Sequence, residues 1–348
     1  MLALVSTLIA ALTVSASPDA PASPFDVHGW VDASWAYNVN GPSSGSNFEP
    51  GLGSTAKRSD TFQLETATLD LVRAPDPVGA HLTLSFGDAM DVMRAAEPTV
   101  WQYVYQATLS WNAPIGRGLL IEAGIYPCQS GFEGFFSKDD WNYTRGWLAE
   151  LSPYYQAGVK VTYAFSDSLS AQLQLINGWS VIADNNTAKT LATALTWSGS
   201  RGSLGFNTLI GPELAGDDSH WRFFGDVVGT LAVTGALSLA TELDAGLQQQ
   251  PVGGTGGWQG AALYARYAFD SHVALAARGE LFHDPEAIVG PVGQTLGEGT
   301  LTLELRPDPH LIFKLEGRYD HSTTALFDAN GPPRRQELLA VAGAVAQF

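Results

Sequence analysis

Charged side chains recur at every second position in several segments of the carboxyl-terminal half of the chain. In the segment from residue 311, the even-numbered positions include Lys314, Glu316, Arg318 and Asp320. The odd-numbered positions include Leu311, Phe313, Leu315 and Tyr319. The same alternation sets apolar residues against two further charged pairs, Arg278 with Glu280 and Glu242 with Asp244. Successive side chains of a β-strand point to opposite faces. These segments therefore predict strands with charge toward a watery interior and hydrocarbon toward lipid.

Residues that could support covalent catalysis or bind a metal show no matching pattern. The seven histidines include no HExxH motif and no Cys/His metal spacing, and Cys128 is the single cysteine. His81 and Ser85 share a predicted strand face, as a hydrolase dyad requires, but no acidic or amide residue stands beside them as an orienting third member. We therefore predict no enzyme activity, no metal site and no cofactor.

The elements that would position the charged rows are strands. In the last segment, residues 335–348, one face is apolar throughout: Leu338, Ala340, Ala342, Ala344, Ala346 and Phe348. Chain termini fray unless they are tied down, so a terminal strand needs neighbours on both sides, and a closed barrel supplies them. Alternating segments continue back to residue 27, and long and short connections alternate between them. They predict an all-β protein, a transmembrane antiparallel β-barrel of about 16 strands with short periplasmic turns and long outer loops.

A barrel of this size leaves an aqueous channel, whereas a soluble sandwich would leave sheet edges to protect. Charged residues make up 15% of the chain and its net charge is -17, which argues against nucleic acid as a partner.

Residues 1–16 are apolar and end in Val14-Ser15-Ala16, as in a signal peptide. Residues 17–26 then form a short leader, and residues 27–348 form the barrel.

Tryptophans provide a second test of the membrane prediction. Eight of them lie near predicted strand ends: Trp30, Trp35, Trp101, Trp111, Trp179, Trp197, Trp221 and Trp258. Aromatic rings favour the two membrane interfaces, so two aromatic belts are expected. Trp30 could alternatively face inward and stack on a sugar.

The third long connection, residues 127–153, is long enough to be functional. Ser137 and Asp140 have capping-box spacing, and Trp141, Arg145 and Leu148 recur at helical intervals, which predicts a short helix. The chain around this connection resembles the OmpL-like β-barrel porin family. The residues that carry the resemblance are Gly124-Ile125-Tyr126-Pro127, Gly131-Phe132-Glu133, Trp141-Asn142-Tyr143-Thr144-Arg145, Ser152-Pro153-Tyr154-Tyr155 with Gly158-Val159, and Asn177-Gly178-Trp179. Gly146 departs from the Ser expected there.

The resemblance implies that the third loop folds into the barrel and narrows it. Four loop residues would then lie at the pore constriction: Glu133, Asp139, Asp140 and Arg145. The lumen would be lined by Glu242, Asp244, Arg278, Glu280, Lys314, Glu316, Arg318 and Asp320. Clustered carboxylates select cations, so we expect a water-filled, mildly cation-selective channel for passive diffusion of small hydrophilic solutes or ions.

The same resemblance predicts a bacterial outer-membrane location, outer-membrane lipid as a partner and, because trimers are common among sixteen-stranded porins, a homotrimer. Two alternatives stay open at this point. The third-loop charges could instead form a solvated surface loop. The barrel could also conduct nothing and act as a binding or adhesion protein through its outer loops.

Overall fold

The computed structural model describes residues 25–48 and 52–348, so the predicted signal peptide lies outside the described residues. Within them the chain forms sixteen strands. They are β1 (Asp26–Asn38), β2 (Thr61–Arg73), β3 (Val78–Phe86), β4 (Val104–Ala113), β5 (Leu119–Pro127), β6 (Tyr155–Ala164), β7 (Leu169–Ile176), β8 (Thr190–Gly199), β9 (Gly202–Pro212), β10 (Trp221–Ala232), β11 (Leu237–Gln250), β12 (Gly254–Ala268), β13 (Val273–Asp284), β14 (Gln294–Asp308), β15 (Leu311–Ser322) and β16 (Gln336–Gln347). The short helices are α1 (Asp88–Met93) and α2 (Trp147–Glu150), with a 3-10 turn at Thr99–Trp101.

The strands form one closed antiparallel barrel in which each strand pairs with its sequence neighbours and β16 pairs with β1. The closure is tight, because Gly29 and Phe348 exchange two backbone hydrogen bonds of 3.0 and 2.9 Å. The terminal strand thus has a neighbour on each side. Both the predicted strand number and the predicted closure are confirmed.

The two faces of β15 show why the strands take this arrangement. Lys314, Arg318 and Asp320 are at most 1% exposed, whereas Leu315 and Tyr319 are 49% and 45% exposed. Polar side chains therefore face the interior and apolar side chains face outward, as a barrel in lipid requires. The predicted alternation is confirmed for this strand.

Connection lengths also alternate around the barrel. The short connections share one rim with the start of β1 and the end of β16: residues 74–77, 114–118, 165–168, 200–201, 233–236, 269–272 and 309–310. Most connections at the other rim are longer: residues 39–60, 87–103, 128–154, 177–189, 213–220, 285–293 and 323–335. The sixth, residues 251–253, is an exception, since β11 continues to Gln250 and β12 begins at Gly254.

Contacts between outer loops hold this longer rim together. Asp328, in the last outer loop, accepts hydrogen bonds from the Ser43 hydroxyl at 2.9 Å and the Ser44 amide at 2.6 Å. Hydrogen bonds from Ser44 and Ser43 lower the pKa of the Asp328 carboxyl to about 2.

Within residues 25–48 and 52–348, no helix has both the length and the apolar composition required to cross a membrane.

The predicted Trp belts are present only in part. Trp111 and Trp197 are each 48% exposed on the outer face, but Trp30 and Trp258 are buried inside the barrel. The Trp30 ring lies edge-on to Phe136, with centroids 4.7 Å apart. The belt prediction is therefore wrong for Trp30 and Trp258, since proximity to a strand end does not determine which face a residue occupies.

Candidate functional site inside the barrel

The third long connection, residues 128–154, crosses the interior of the barrel, and we call it the inner loop. Three of its large side chains have no exposed surface: Tyr143, Trp147 and Leu148. The Tyr143 hydroxyl donates to Asp32 of β1 at 2.6 Å. A Cβ atom at Gly343 of β16 would lie 2.1 Å from the Tyr143 ring, so only glycine leaves room for the loop there. The barrel wall and the loop therefore fit together through specific contacts.

The sequence predicted a helix through Trp141, Arg145 and Leu148. In the structure, backbone amides of this segment donate to a carboxylate of the barrel wall and not to helical carbonyls. Glu316 of β15 accepts the backbone N–H of Tyr143 at 2.6 Å and that of Thr144 at 3.0 Å. Amides bonded to the wall cannot donate to carbonyls four residues earlier, and a charged acceptor makes the stronger bond. The helix prediction is consequently wrong over most of its length, and only α2 forms.

Arg278 of β13 is the centre of a buried ion-pair network. Its guanidinium lies 2.5 Å from Glu133 of the inner loop, 3.0 Å from Glu298 and 3.7 Å from Glu280. It also donates to the Thr144 carbonyl at 2.7 Å. All four charged side chains are at most 1% exposed. We call Arg278, Glu133, Glu280 and Glu298 the arginine cluster. Its four charges bind the loop to β13 and β14.

Two further cations of β15 bind the same loop. Arg318 pairs with Asp320 at 2.9 Å and donates to the Arg145 carbonyl at 2.5 Å. Lys314 donates to the carbonyl oxygens of Ser137 and Asp140. Lys314 and Arg318, four positions apart on the inner face of β15, thus donate to loop carbonyls between Ser137 and Arg145. The charged row that the sequence analysis identified on β15 meets loop backbone at each of these positions.

The structure separates the four loop residues predicted at the constriction. Glu133 is buried in the arginine cluster, and Asp140 is buried with the Gly134 amide donating to it at 2.7 Å. Arg145 is also buried, with its guanidinium 4.5 Å from the centre of the Tyr154 ring. Asp139 differs, because its side chain is 61% exposed and pairs with Lys138 at 2.8 Å. Among the four, Asp139 is therefore the residue most accessible to water.

Glu242 and Asp244 of β11 contact the two ends of the inner loop. Glu242 accepts the Phe132 N–H at 2.8 Å, and Asp244 accepts the Ser152 hydroxyl at 2.9 Å. Asp226 of β10 joins them because it pairs in register with Asp244. We call these three residues the acidic cluster; one carboxylate oxygen from each lies within 4.8 Å of one from each of the others. No ion pair among residues 25–48 and 52–348 includes any of the three.

Cavities lie on both sides of the inner loop. On the side of the short turns, a cavity of about 570 Å³ is lined by Trp30, His81, Phe136, Asp139 and Phe348. A second cavity on this side, of about 440 Å³, is lined by Asp139, Asp140, Arg266, Glu304 and Arg306. On the side of the outer loops, a cavity of about 320 Å³ is lined by Glu150, Tyr154, Trp179 and Arg222. Polar and charged side chains contribute to all three.

The inner face of β5–β8 is less covered than that of β13–β15. The Lys160 ammonium lies 2.9 Å from Glu122, and these side chains keep 13% and 16% of their surface exposed. Thr162 and Gln172, paired in register, are half-buried. By contrast, the Arg278 side chain has no exposed surface. Water therefore has more access to the wall opposite the arginine cluster.

The His81–Ser85 pair needs a correction. An acidic residue does stand beside His81: its Nε2 lies 2.7 Å from a carboxylate oxygen of Asp70 on the neighbouring strand β2. Ser85, however, shares a hydrogen bond of 2.8 Å with the Thr68 hydroxyl. The serine is therefore bonded to another residue and does not form a nucleophile–base pair with His81.

Several residues of the site were absent from the sequence-based set. Glu298 joins the arginine cluster, Asp226 joins the acidic cluster, and Asp32 binds Tyr143. Asp32 and Glu298 belong to alternating segments, so the parity rule could have identified them. Asp226 has no charged neighbour at i±2 within β10, and only the pairing of β10 with β11 reveals it.

Comparison with known proteins places this geometry among outer-membrane channels. Residues 24–348 match the family model described as "Putative beta-barrel porin-2, OmpL-like". No curated protein matches the chain.

Among solved structures, the chain is similar to the anion-selective porin from Comamonas acidovorans, with a TM-score of 0.62, 11% identity, and 93% of this chain and 99% of that chain covered. The outer membrane channel DcaP of Acinetobacter baumannii matches with a TM-score of 0.62 and 12% identity over 93% of this chain and 97% of that one. The trimer form of OmpT from Vibrio cholerae matches with a TM-score of 0.59 and 10% identity over 93% and 99%. At these identities the likeness describes the fold.

Proposed function

Since this chain belongs to the OmpL-like family of β-barrel porins and is a porin of the bacterial outer membrane, we propose that its pore prefers cations. In this proposal the channel passes small hydrophilic solutes or ions by passive diffusion. The inner loop forms the constriction, and Glu133, Asp139, Asp140 and Arg145 provide its charges. The observation that carries the proposal is the excess of carboxylates inside the barrel.

That excess is large among the described residues. Among the described residues, sixteen Asp and Glu residues are buried in the barrel and its loops, against five Arg and Lys residues. The five cations are Arg94, Arg145, Arg278, Lys314 and Arg318. Fixed negative charge in a confined aqueous path raises the local concentration of cations and lowers that of anions. The preference is expected to be mild, because Arg278 and Arg318 are close to several of the carboxylates.

The path of the solute follows from the coverage of the walls. Because the inner loop packs against β1 and β11–β15, we place the path along β5–β8, past Glu122 and Lys160. Glu122 and Lys160 are register partners on the neighbouring strands β5 and β6 and lie 2.9 Å apart, so their charges largely compensate each other on this wall. The solved neighbours do not determine selectivity, since one of them is an anion-selective porin with the same fold. Selectivity must come from side chains particular to this chain.

Planar-bilayer recording of the full mature chain tests this proposal. Stepwise conductance is expected, and neutralising Glu133, Asp139 and Asp140 to Gln or Asn should shift the reversal potential in a salt gradient toward that of an unselective pore. Asp76→Asn, in the exposed short turn between β2 and β3, is the matched charge control and should leave the potential unchanged. An unchanged potential in the triple variant would contradict the assignment of the constriction, and an electrically silent folded barrel would contradict the channel.

We extend the proposal to a homotrimer. One solved neighbour, OmpT of Vibrio cholerae, is described in a trimer form, and an apolar outer face such as that of β15 is available for lipid or for a second copy. Sedimentation of the detergent-solubilised barrel, corrected for bound detergent, should give three times the mass of one chain. A monomer mass across several detergents would contradict the trimer.

A further inference from the structure

The acidic cluster combines three carboxylates that the chain brings together from two strands. Asp226 and Asp244 are directly paired between β10 and β11, and Glu242 precedes Asp244 by two positions on the same inner face. Asp226 and Glu242 have no exposed surface and Asp244 is 5% exposed. Three like charges at this spacing, away from bulk water, repel one another strongly. A compensating positive charge is therefore required if they are ionised.

One oxygen of each carboxylate is held by a hydrogen-bond donor of the protein. The Asn207 amide donates to Asp226 Oδ1, the Phe132 N–H donates to Glu242 Oε2 at 2.8 Å, and the Ser152 hydroxyl donates to Asp244 Oδ2 at 2.9 Å. The three donors come from β9 and from both ends of the inner loop. Each carboxylate is consequently fixed in orientation by one of its two oxygens.

Within residues 25–48 and 52–348, no N–H or hydroxyl donor reaches the second oxygen of each carboxylate, while the carboxyl groups of Asp226 and Asp244 contact each other. The three second oxygens are the buried atoms Asp226 Oδ2, Glu242 Oε1 and Asp244 Oδ1. Leaving a buried charged acceptor unpaired costs more than leaving a neutral one unpaired, and here three such atoms occur in one cluster. Oxygens without a donor on three oriented carboxylates are the arrangement expected of a binding site for a cation.

We propose that the acidic cluster binds a divalent cation, and that the cation is Ca²⁺. Ca²⁺ takes oxygen ligands at about 2.3–2.6 Å in flexible geometry, so its ligands lie at most about 5 Å from one another, and the three carboxylate oxygens lie within 4.8 Å of one another. Zn²⁺ favours nitrogen and sulfur ligands, and Mg²⁺ requires shorter, near-octahedral distances. Water would complete the coordination on the side of the lumen.

The position of the cluster gives this ion a structural consequence. Phe132 and Ser152 lie near the two ends of the inner loop, and both donate to carboxylates of the cluster. An ion that holds Asp226, Glu242 and Asp244 together would therefore fix the base of the loop against β10 and β11. Occupancy of the site by Ca²⁺ should raise the stability of the folded barrel.

The direct test is calorimetric titration of CaCl₂ into the full mature barrel in detergent after removal of divalent ions with EDTA. One saturable site is expected, with a Kd on the order of 10⁻⁴–10⁻³ M as in extracellular calcium modules, together with a rise in the unfolding temperature that KCl at equal ionic strength does not reproduce. Absence of saturable binding by the wild-type barrel up to ~10 mM Ca²⁺ would overturn the proposal without reference to any variant.

Variants locate the site. Asp226→Asn, Glu242→Gln and Asp244→Asn should each weaken Ca²⁺ binding at least tenfold, and the triple variant should abolish it. The matched control is Glu337→Gln, which neutralises a buried carboxylate of β16 that is 1% exposed; its Kd should equal that of the wild type. Circular dichroism and migration on unheated gels verify that each barrel is folded. A folded triple variant that binds Ca²⁺ like the wild type would overturn the assignment.

Discussion

The arginine cluster and the acidic cluster each gather three carboxylates inside the same barrel, but only one contains a cation of the chain. In the arginine cluster, Arg278 lies within 3.7 Å of Glu133, Glu280 and Glu298. In the acidic cluster, backbone and neutral side-chain donors hold one oxygen of each carboxylate, and no donor in the described part of the chain reaches the other. Both clusters contact the inner loop. The chain thus anchors one part of the loop with its own charge and leaves another part dependent on an ion from solution.

This difference shows that a row of acids in a sequence does not determine its electrostatic role. Glu280 and Glu242 occupy equivalent inner positions on β13 and β11, and both accept a loop amide at 2.8 Å. What separates them is the residue two positions earlier, which is Arg278 in one strand and Ala240 in the other. A single substitution in either cluster should therefore change its behaviour toward that of the other.

The largest expected effect comes from removing the arginine. Arg278→Gln leaves three buried carboxylates without their cation, and breaking a buried ion pair in this way costs about 3–5 kcal/mol. We expect the midpoint of urea unfolding in detergent to fall accordingly. Arg278→Lys keeps the charge but loses the forked geometry, so its loss should be smaller. Equal stability of wild type and Arg278→Gln would show that the cluster does not hold the loop.

Neutralising the acidic cluster should have the opposite sign when no divalent ion is present. The triple variant Asp226→Asn, Glu242→Gln, Asp244→Asn relieves repulsion between buried charges, so we expect it to be more stable than wild type by about 1–3 kcal/mol in EDTA. Adding Ca²⁺ should close that gap by stabilising only the wild type. A triple variant destabilised in EDTA, although folded, would mean that the acids stabilise the loop without an ion.

A cation introduced by mutation should convert the acidic cluster into one that is internally compensated. Asn207 donates to Asp226, and Asn207→Lys would place an ammonium beside the three acids. Calcium at ten times the Kd stabilises the wild type by about 1.4 kcal/mol, and this increment should vanish in the variant. Asn207→Gln is the neutral control and should retain most of it. Persistence of the full increment in Asn207→Lys would place the ion elsewhere.

The smallest expected effect is at Asp139, which belongs to neither cluster. Its side chain is 61% exposed and pairs with Lys138, and an exposed pair contributes about 0–1 kcal/mol. Asp139→Asn should leave the unfolding midpoint nearly unchanged while shifting the reversal potential slightly. A stability loss as large as that of Arg278→Gln would show that exposed and buried charges of the loop contribute equally to the stability of the barrel.

Much of the fold could be predicted because the physical signal is local. Lys314, Glu316, Arg318 and Asp320 stand at every second position and so occupy one face of a strand. At a lipid boundary, that charged face must point to the interior of the barrel. The conformation of the inner loop could not be predicted from local spacing. Trp141, Arg145 and Leu148 have helical intervals, yet Glu316 of β15 takes the amides of Tyr143 and Thr144. A distant acceptor overrides a local preference, and periodicity contains no information about it.

The contacts of the candidate site were predictable only in part for the same reason. Glu133 and Arg278 were both identified as charged candidates, but their pairing joins positions 145 residues apart. Asp226 was missed because its partners lie on another strand, and the expectation of no metal site rested on His and Cys spacing. Carboxylates assembled by strand register leave no such motif in the sequence.

Permeation is most directly tested by the reversal potential of the wild-type barrel in a planar bilayer under a tenfold KCl gradient. An excess of fixed carboxylate in the lumen predicts discrete conductance steps and a potential of the sign that potassium permeation produces. A potential of the opposite sign, or a folded barrel that never conducts, would contradict the cation-preferring channel described above.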